Sequence, residues 1–214
     1  MKHPAPYTPG LLPIFSELLK MRFCHTVLDP FAGTGRIHQL RADGFETTGV
    51  EIEPEWAEMS EGTITGDSTN LLSLFPFDKY FDCIVTSPCY GNRFADSHEA
   101  KDGSERRSYT HDLGHTLHIN NSGAMQWGDA YRKLHHAVWL QCVQMLRPGG
   151  VFLLNIKDHI RNFQRQYVGG WHVTELARLG FTLEEHHALV AGGMTKGDNR
   201  QRVAEEVIYV FRKD

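Results

Sequence analysis

Short apolar runs alternate with amphipathic stretches along this chain, the pattern of a buried, mostly parallel sheet flanked by helices. Residues 3–9 are rich in proline and read as extended. Leu11 to Met21 then places apolar residues at helical spacing, with Pro13 tolerated in the first turn. His25 to Leu28 is a first strand, followed by a glycine-containing turn and a helix beginning near Arg36. Phe45 to Val50 is a second strand, Pro54 opens a short helix through Met59, and Gly62 to Thr65 is a brief third strand. Cys83, Ile84 and Val85 form a fourth, stopped at Ser87-Pro88 because proline lacks an N–H and pushes the residue before it towards extended geometry. Trp127 to Leu146 is a long helix with apolar positions at Leu134, Val138, Cys142 and Met145, ended by Arg147-Pro148-Gly149-Gly150. Val151 to Ile156 is a fifth strand. A helix from about His172 to Leu179 and a hairpin of residues 181–190 with Val203 to Phe211 complete an α/β pattern, expected to be one domain over residues 1–214. One stretch breaks the pattern. Residues 91–126 are polar, lack periodicity and are too long for an ordinary connection, so they are expected to be an insertion that faces a substrate.

With 41% hydrophobic residues among 214, the chain can bury a full core. Lys plus Arg is 22 against 26 for Asp plus Glu, so any nucleic-acid contact must come from local patches. Lys196, Arg200 and Arg202, between the last two strands, are the densest such patch. Four cysteines, at 24, 83, 89 and 142, lack paired metal spacing and read as reduced thiols of a cytoplasmic protein. No run approaches the ~18 apolar residues of a membrane span, and the first ten residues carry no signal-peptide core. His111, His115 and His118 are spaced as on a helix face, but Gly114 and the lack of a fourth ligand argue against zinc, and no metal is expected.

Candidate chemistry sits where four strands end, the place at which ligands bind in open α/β sheets. Asp29 to Gly35, DPFAGTG, has glycines that let the backbone approach a ligand. The dinucleotide fingerprint fails because His38 occupies the third glycine position, and a phosphate-binding loop fails for want of Gly-Lys-Ser/Thr. Glu51 lies near the ~20-residue distance at which an acid reaches ribose hydroxyls in Rossmann-type folds. Gly66-Asp67 places a further acid after the third strand. Asp82 to Gly91, DCIVTSPCYG, brings a serine hydroxyl, unpaired carbonyls and a tyrosine ring to the end of the fourth.

TSPCY is similar to the TSPPY variant of the (D/N/S)PPY motif of amino-group DNA methyltransferases, and DPFAGTG resembles the D-x-F-x-G-x-G loop of S-adenosylmethionine-dependent methyltransferases. LRPGG resembles the turn before their fifth strand. The resemblance covers nearly the whole chain and implies a Rossmann-like seven-stranded sheet, mostly parallel with a C-terminal antiparallel hairpin, and S-adenosyl-L-methionine as cofactor. Asp29, Phe31, Gly33 and Gly35 would form the cofactor loop, Glu51 would bind the ribose, Ile52 would pack on the adenine and Asp67 would accept from its 6-amino group. HPAPYTPGLL loosely resembles a segment lining the cofactor pocket, with Thr8 and Pro9 as neighbours. The Ser87 side chain and the Pro88 carbonyl would accept from an exocyclic amine, and Tyr90 would stack on a base rotated out of double-stranded DNA. Serine at the first motif position favours the 4-amino group of cytosine over the 6-amino group of adenine. Arg93, Lys196, Arg200 and Arg202 would contact DNA phosphates, while Asn155, Lys157, Asp158 and Arg161 would reach the target strand. The sequence departs from the motif at Cys89, where a second proline is usual, which is expected to leave the Pro88 carbonyl less rigidly placed. Three alternatives stay open: cytosine carbon-5 methylation through a Cys89 thiolate, a non-catalytic module holding S-adenosylmethionine or DNA, and RNA as substrate. Without a separate recognition domain, the chain resembles small stand-alone methyltransferases of phages and bacteria.

Overall fold

A computed structural model describes residues 7–8, 10–92, 108–190 and 203–214. The strands are β1 (Thr26–Asp29), β2 (Glu46–Glu51), β3 (Thr63–Thr65), β4 (Phe81–Thr86), β5 (Leu146–Ile156), β6 (His159–Arg161), β7 (Gln164–Gln166), β8 (Phe181–Val190) and β9 (Glu205–Lys213). Seven of them form one sheet in the order β3-β2-β1-β4-β5-β9-β8. β3, β2, β1, β4 and β5 run parallel, and β9 is antiparallel to both β5 and β8. The carboxyl ends of the five parallel strands therefore share one edge. β9, running the other way, brings its first residues to that same edge, where Val207 pairs with Ile156. Strand order reverses between β1 and β4, the switch point at which such sheets open a crevice.

Both faces of the central strands β1, β4 and β5 are buried, which is why they read as apolar runs. Val27, Cys83, Val85, Val151 and Leu153 enter one core with α1 (Leu11–Met21) and the 3-10 helix Arg36–Asp43. Their neighbours Leu28, Ile84, Phe152 and Leu154 point the opposite way, as the two-residue period of a strand demands. That second core is closed by α3 (Leu71–Leu74), α5 (Asp129–Met145) and α6 (Val168–Arg178); the remaining short helices are α2 (Pro54–Ala57) and α4 (Tyr109–Leu113). The opposite end of the sheet is tied by one side chain. Asp82 accepts from the His25 and Thr26 N–H groups at 2.8 Å each and from Arg147 Nε at 2.6 Å, so the arginine of the LRPGG turn joins the starts of β1, β4 and β5.

Several elements differ from the sequence pattern. Leu146 belongs to β5, pairing with Phe81, rather than to the helix before it. α6 starts at Val168, earlier than expected, because Gly169 is helical and packed so tightly that a Cβ there would lie 2.9 Å from the Tyr209 hydroxyl. The β6–β7 hairpin was not expected. Its two-residue turn is Asn162-Phe163, with φ of 50° and 60°, and it lacks the glycine that usually marks such a turn. Among the described residues no helix is long and apolar enough to cross a membrane.

Phe152 is fully buried and meets Trp139 and Phe181 edge-on at ring-centroid distances of 5.1 and 5.6 Å. Phe152→Ala should cost about 3–5 kcal/mol in urea unfolding, moving the midpoint without changing the denaturant slope.

Candidate functional site

The β1–β2 side of the crevice is built from carboxylates. Asp29, at the end of β1, is wholly buried: Oδ1 accepts from the Thr86 hydroxyl at 2.8 Å and the Phe31 N–H at 3.0 Å, and Oδ2 accepts from the Tyr7 hydroxyl. Burial pushes this carboxyl up to about 6 despite its three donors. Asp29 thus sits behind the loop and ties it to β4 and to the N-terminal segment. Three more of the loop's N–H groups are spent on protein: Ala32 on the Val50 carbonyl at 3.0 Å, Gly33 on Glu51 Oε2 at 2.9 Å, and Gly35 on the Ala32 carbonyl at 2.9 Å. Gly35 holds φ 73°, and a Cβ there would strike the Ser60 side chain at 2.4 Å, so the turn demands glycine. His38, in place of a third glycine, bridges the Thr47 and Thr63 hydroxyls at 2.8 and 2.9 Å; burial and then Arg41 lower it to about 4, so it is neutral and structural.

Glu51, ending β2, accepts the Gly33 and Glu53 N–H groups, and burial pushes it up to about 7. Phe31 is half-buried and stacks on His135 with centroids 5.3 Å apart; Ile52 is half-buried beside Glu51. Asp67 Oδ1 accepts from the Thr69 N–H and hydroxyl at 2.9 and 2.8 Å, and Oδ2 from the Asn120 amide at 2.6 Å. Burial works against the charge here, but these donors hold the carboxyl below its ordinary value.

Asn120 belongs to the polar stretch that sequence periodicity left unassigned. Residues 108–126 lie against the acidic edge: the His118 N–H and the Asn121 amide each reach Glu53 Oε1 at 2.8 Å, and Tyr109 packs on Trp56. Tyr109, Asn120 and Asn121 are site residues that sequence reasoning missed, since nothing local marks side chains whose partners are far away in the chain. Glu53, Glu55 and His115 also bring ligand atoms within 4.8 Å of one another, but His115 Nε2 is engaged by Glu55 Oε1 at 2.9 Å and both residues are partly exposed.

On the β4 side, the Asn155 amide donates to Ser87 Oγ at 3.0 Å and to the Tyr90 hydroxyl at 3.2 Å. It is anchored by Glu206 Oε2 at 3.2 Å, and Thr8 donates to both Glu206 oxygens. Among the described residues nothing donates to the Pro88 carbonyl. Tyr90 is half-buried against the core, and burial, then the Glu206 charge, raise its hydroxyl. Asn155, expected to reach outward, is instead fully buried inside β5. Asp158 is taken up by Arg165 Nε at 2.9 Å and the Gly169 N–H at 3.0 Å, whereas Arg161 is exposed.

Cys89, which stands where a second proline is usual, is held from two sides. Its thiol lies 3.0 Å from the Tyr109 hydroxyl and its carbonyl accepts from Tyr131 at 2.7 Å. Tyr131 in turn meets His172 Nε2 at 3.1 Å, and His172 Nδ1 accepts from Trp139 Nε1 at 3.1 Å. An indole can only donate, so His172 must carry its proton on Nε2, and the chain runs in one direction from Trp139 to the Cys89 carbonyl. Burial holds His172 neutral, far below its ordinary value. Burial also pushes the Cys89 thiol up, away from the thiolate that attack on a ring carbon needs. Pro9, Arg93, Lys196, Arg200 and Arg202 lie outside the described residues.

No protein-family model matches the sequence, and no curated protein matches it. Solved structures do share its fold. TrmN from Thermus thermophilus superposes with a TM-score of 0.52 at 16% identity over 94% of this chain and 49% of that one, so this chain spans about half its length. The 1,6-didemethyltoxoflavin-N1-methyltransferase of Burkholderia thailandensis gives 0.57 at 15% identity, covering 95% and 78%. The glycopeptide N-methyltransferase MtfA gives 0.60 at 16% identity, covering 100% and 90%. The architecture is thus the Rossmann-like methyltransferase fold, and at such identities the likeness extends to the fold alone.

Asp29 and Glu51 hold protons that the unfolded chain, with values of 3.8 and 4.5, has released. Their contribution to stability is full below about pH 4 and is lost as pH rises through about 6 to 7. Glu51→Gln should therefore flatten the fall of the thermal midpoint between about pH 4.5 and 7; a slope equal to wild type would refute the raised carboxyl. Tyr131→Phe strips a donor from the Cys89 carbonyl and an acceptor from His172, and should cost about 1–3 kcal/mol by chemical denaturation.

Proposed function

We propose that this chain is an S-adenosylmethionine-dependent methyltransferase acting on the exocyclic amino group of a base in double-stranded DNA, with the 4-amino group of cytosine favoured over the 6-amino group of adenine. One observation carries the reading: the Ser87 hydroxyl and the Pro88 carbonyl, to which no described residue donates, stand at the end of β4, across the switch point from the carboxylate-lined end of β1 and β2.

The donor set suits this cofactor better than a nucleotide phosphate. The Phe31, Ala32, Gly33 and Gly35 N–H groups are already bonded to protein, and the carboxylates of Glu53 and Asp67 would repel an anion. Carboxylates do accept from ribose hydroxyls and an adenine amine, and they favour a cation. Two of the fold neighbours were crystallised with compounds of this type, the toxoflavin enzyme with S-adenosylhomocysteine and MtfA with sinefungin. When bound, S-adenosylmethionine supplies a methyl group on cationic sulfur. In this reading Glu51 binds the ribose, Asp67 the adenine amine, and Phe31 and Ile52 the adenine face, with Gly33 and Gly35 shaping the loop.

An exocyclic amine is a poor nucleophile because its lone pair is delocalised into the ring. Two acceptors on its N–H groups, Ser87 Oγ and the Pro88 carbonyl, draw it towards a pyramidal nitrogen whose lone pair faces the methyl donor. Tyr90 supplies a stacking face for the base taken out of the helix, and Arg93, Lys196, Arg200 and Arg202 contact phosphates. The preference for cytosine rests on serine at the first motif position. The upward push on the half-buried Cys89 thiol, away from thiolate, disfavours carbon-5 chemistry.

DNA from cells expressing the protein, digested and analysed by mass spectrometry, should contain N4-methylcytosine. N6-methyladenine would reassign the base, and 5-methylcytosine would overturn the amine chemistry. Ser87→Ala should abolish the product while Cys89→Pro keeps it. Glu51→Ala should weaken S-adenosylmethionine binding by about 1–3 kcal/mol in calorimetry.

A further inference from the structure

The β6–β7 hairpin leaves β5 two residues past its end, at the same edge of the sheet as Ser87. Its tip is Phe163, 86% exposed and held at φ 60°. A left-handed backbone is costly for a bulky residue, and an exposed ring recovers none of that cost by burial, so nothing within the fold accounts for phenylalanine at this position. Tyr167, 67% exposed, follows the second strand and lies under the Arg165 guanidinium, 5.5 Å from its ring centroid. Arg161 is exposed on the first strand. The acid nearest the hairpin, Asp158, is neutralised by Arg165 and by the first turn of α6, which together brace the hairpin's base. Residues 159–167 carry two arginines and no acid in a chain of net charge −4.

We infer that this hairpin is a DNA-docking element, in which Phe163 stacks against the base step beside the rotated-out nucleotide while Arg161 meets a flanking phosphate. The inference rests on the function proposed above and names a surface for its substrate. A rigid, exposed aromatic ring on a basic, acid-free ribbon matches the wedge that proteins insert between unstacked bases, and the local charge supplies the attraction that the chain as a whole lacks. Its position next to the end of β5 sets the wedge beside the acceptors that receive the base.

The experiment is fluorescence anisotropy with a labelled DNA duplex across a salt series, thermal unfolding confirming that each variant is folded. Phe163→Ala should weaken duplex binding at least tenfold, and Phe163→Trp should preserve it. Arg161→Gln should lower the slope of log affinity against log salt by about one, close to the ~0.9 expected for a phosphate contact. Duplex binding within twofold of wild type for Phe163→Ala, or an unchanged salt slope in Arg161→Gln, would overturn the inference. Tight binding of single-stranded RNA with no binding of the duplex would overturn it as well. A wild-type protein that binds no nucleic acid would instead defeat the proposed function, which the variants alone do not decide.

Discussion

Carboxylates held out of water dominate one edge of this sheet. Asp29, Glu51, Glu53 and Glu206 are each nearly or wholly buried, and a buried charge is tolerated only where donors meet it. The surrounding structure supplies those donors from far apart in the chain: Tyr7 and Thr8 from the N-terminal segment, the Gly33 amide from the first loop, Asn121 from the segment after α4, and Asn155 from β5. The parallel topology makes this convergence unavoidable, because it delivers the ends of five strands, and the start of β9, to one place. The site is thus where the chain closes on itself.

The strand-ending motif is fixed by similar means. Ser87 and Tyr90 share the Asn155 amide, whose orientation is held by Glu206. Cys89 is gripped at its thiol by Tyr109 and at its carbonyl by Tyr131. A second proline would restrict the backbone through its ring; here two tyrosines restrict it through hydrogen bonds, leaving the preceding Pro88 carbonyl open among the described residues.

What could be read from the residues follows from how local the cause was. β1, β4 and β5 were legible because burial on both faces imposes apolar runs, and α1 because its spacing and Pro13 are local signals. DPFAGTG and TSPCY stood out because turn chemistry is written in adjacent residues. The packing of residues 108–126 on the acids was hidden, since Asn120 and Asn121 find partners more than fifty positions away. The β6–β7 turn was hidden because Asn-Phe is not a turn signature. Gly169-Gly170 reads as a break, yet the close approach of Tyr209 makes the first glycine part of α6. That Asn155 faces inward depends on Glu206 across a strand pair, a relationship no spacing encodes.

The one-way run of hydrogen bonds from Trp139 through His172 and Tyr131 to the Cys89 carbonyl bears on where a proton can travel. A relay that moves protons must be able to reverse its polarity, and a chain headed by an indole N–H cannot, because the indole accepts nothing in return. This chain is therefore a clamp on the Cys89 carbonyl and conducts no proton. In the amine chemistry proposed for this site, the hydrogen lost from the methylated nitrogen cannot leave along it.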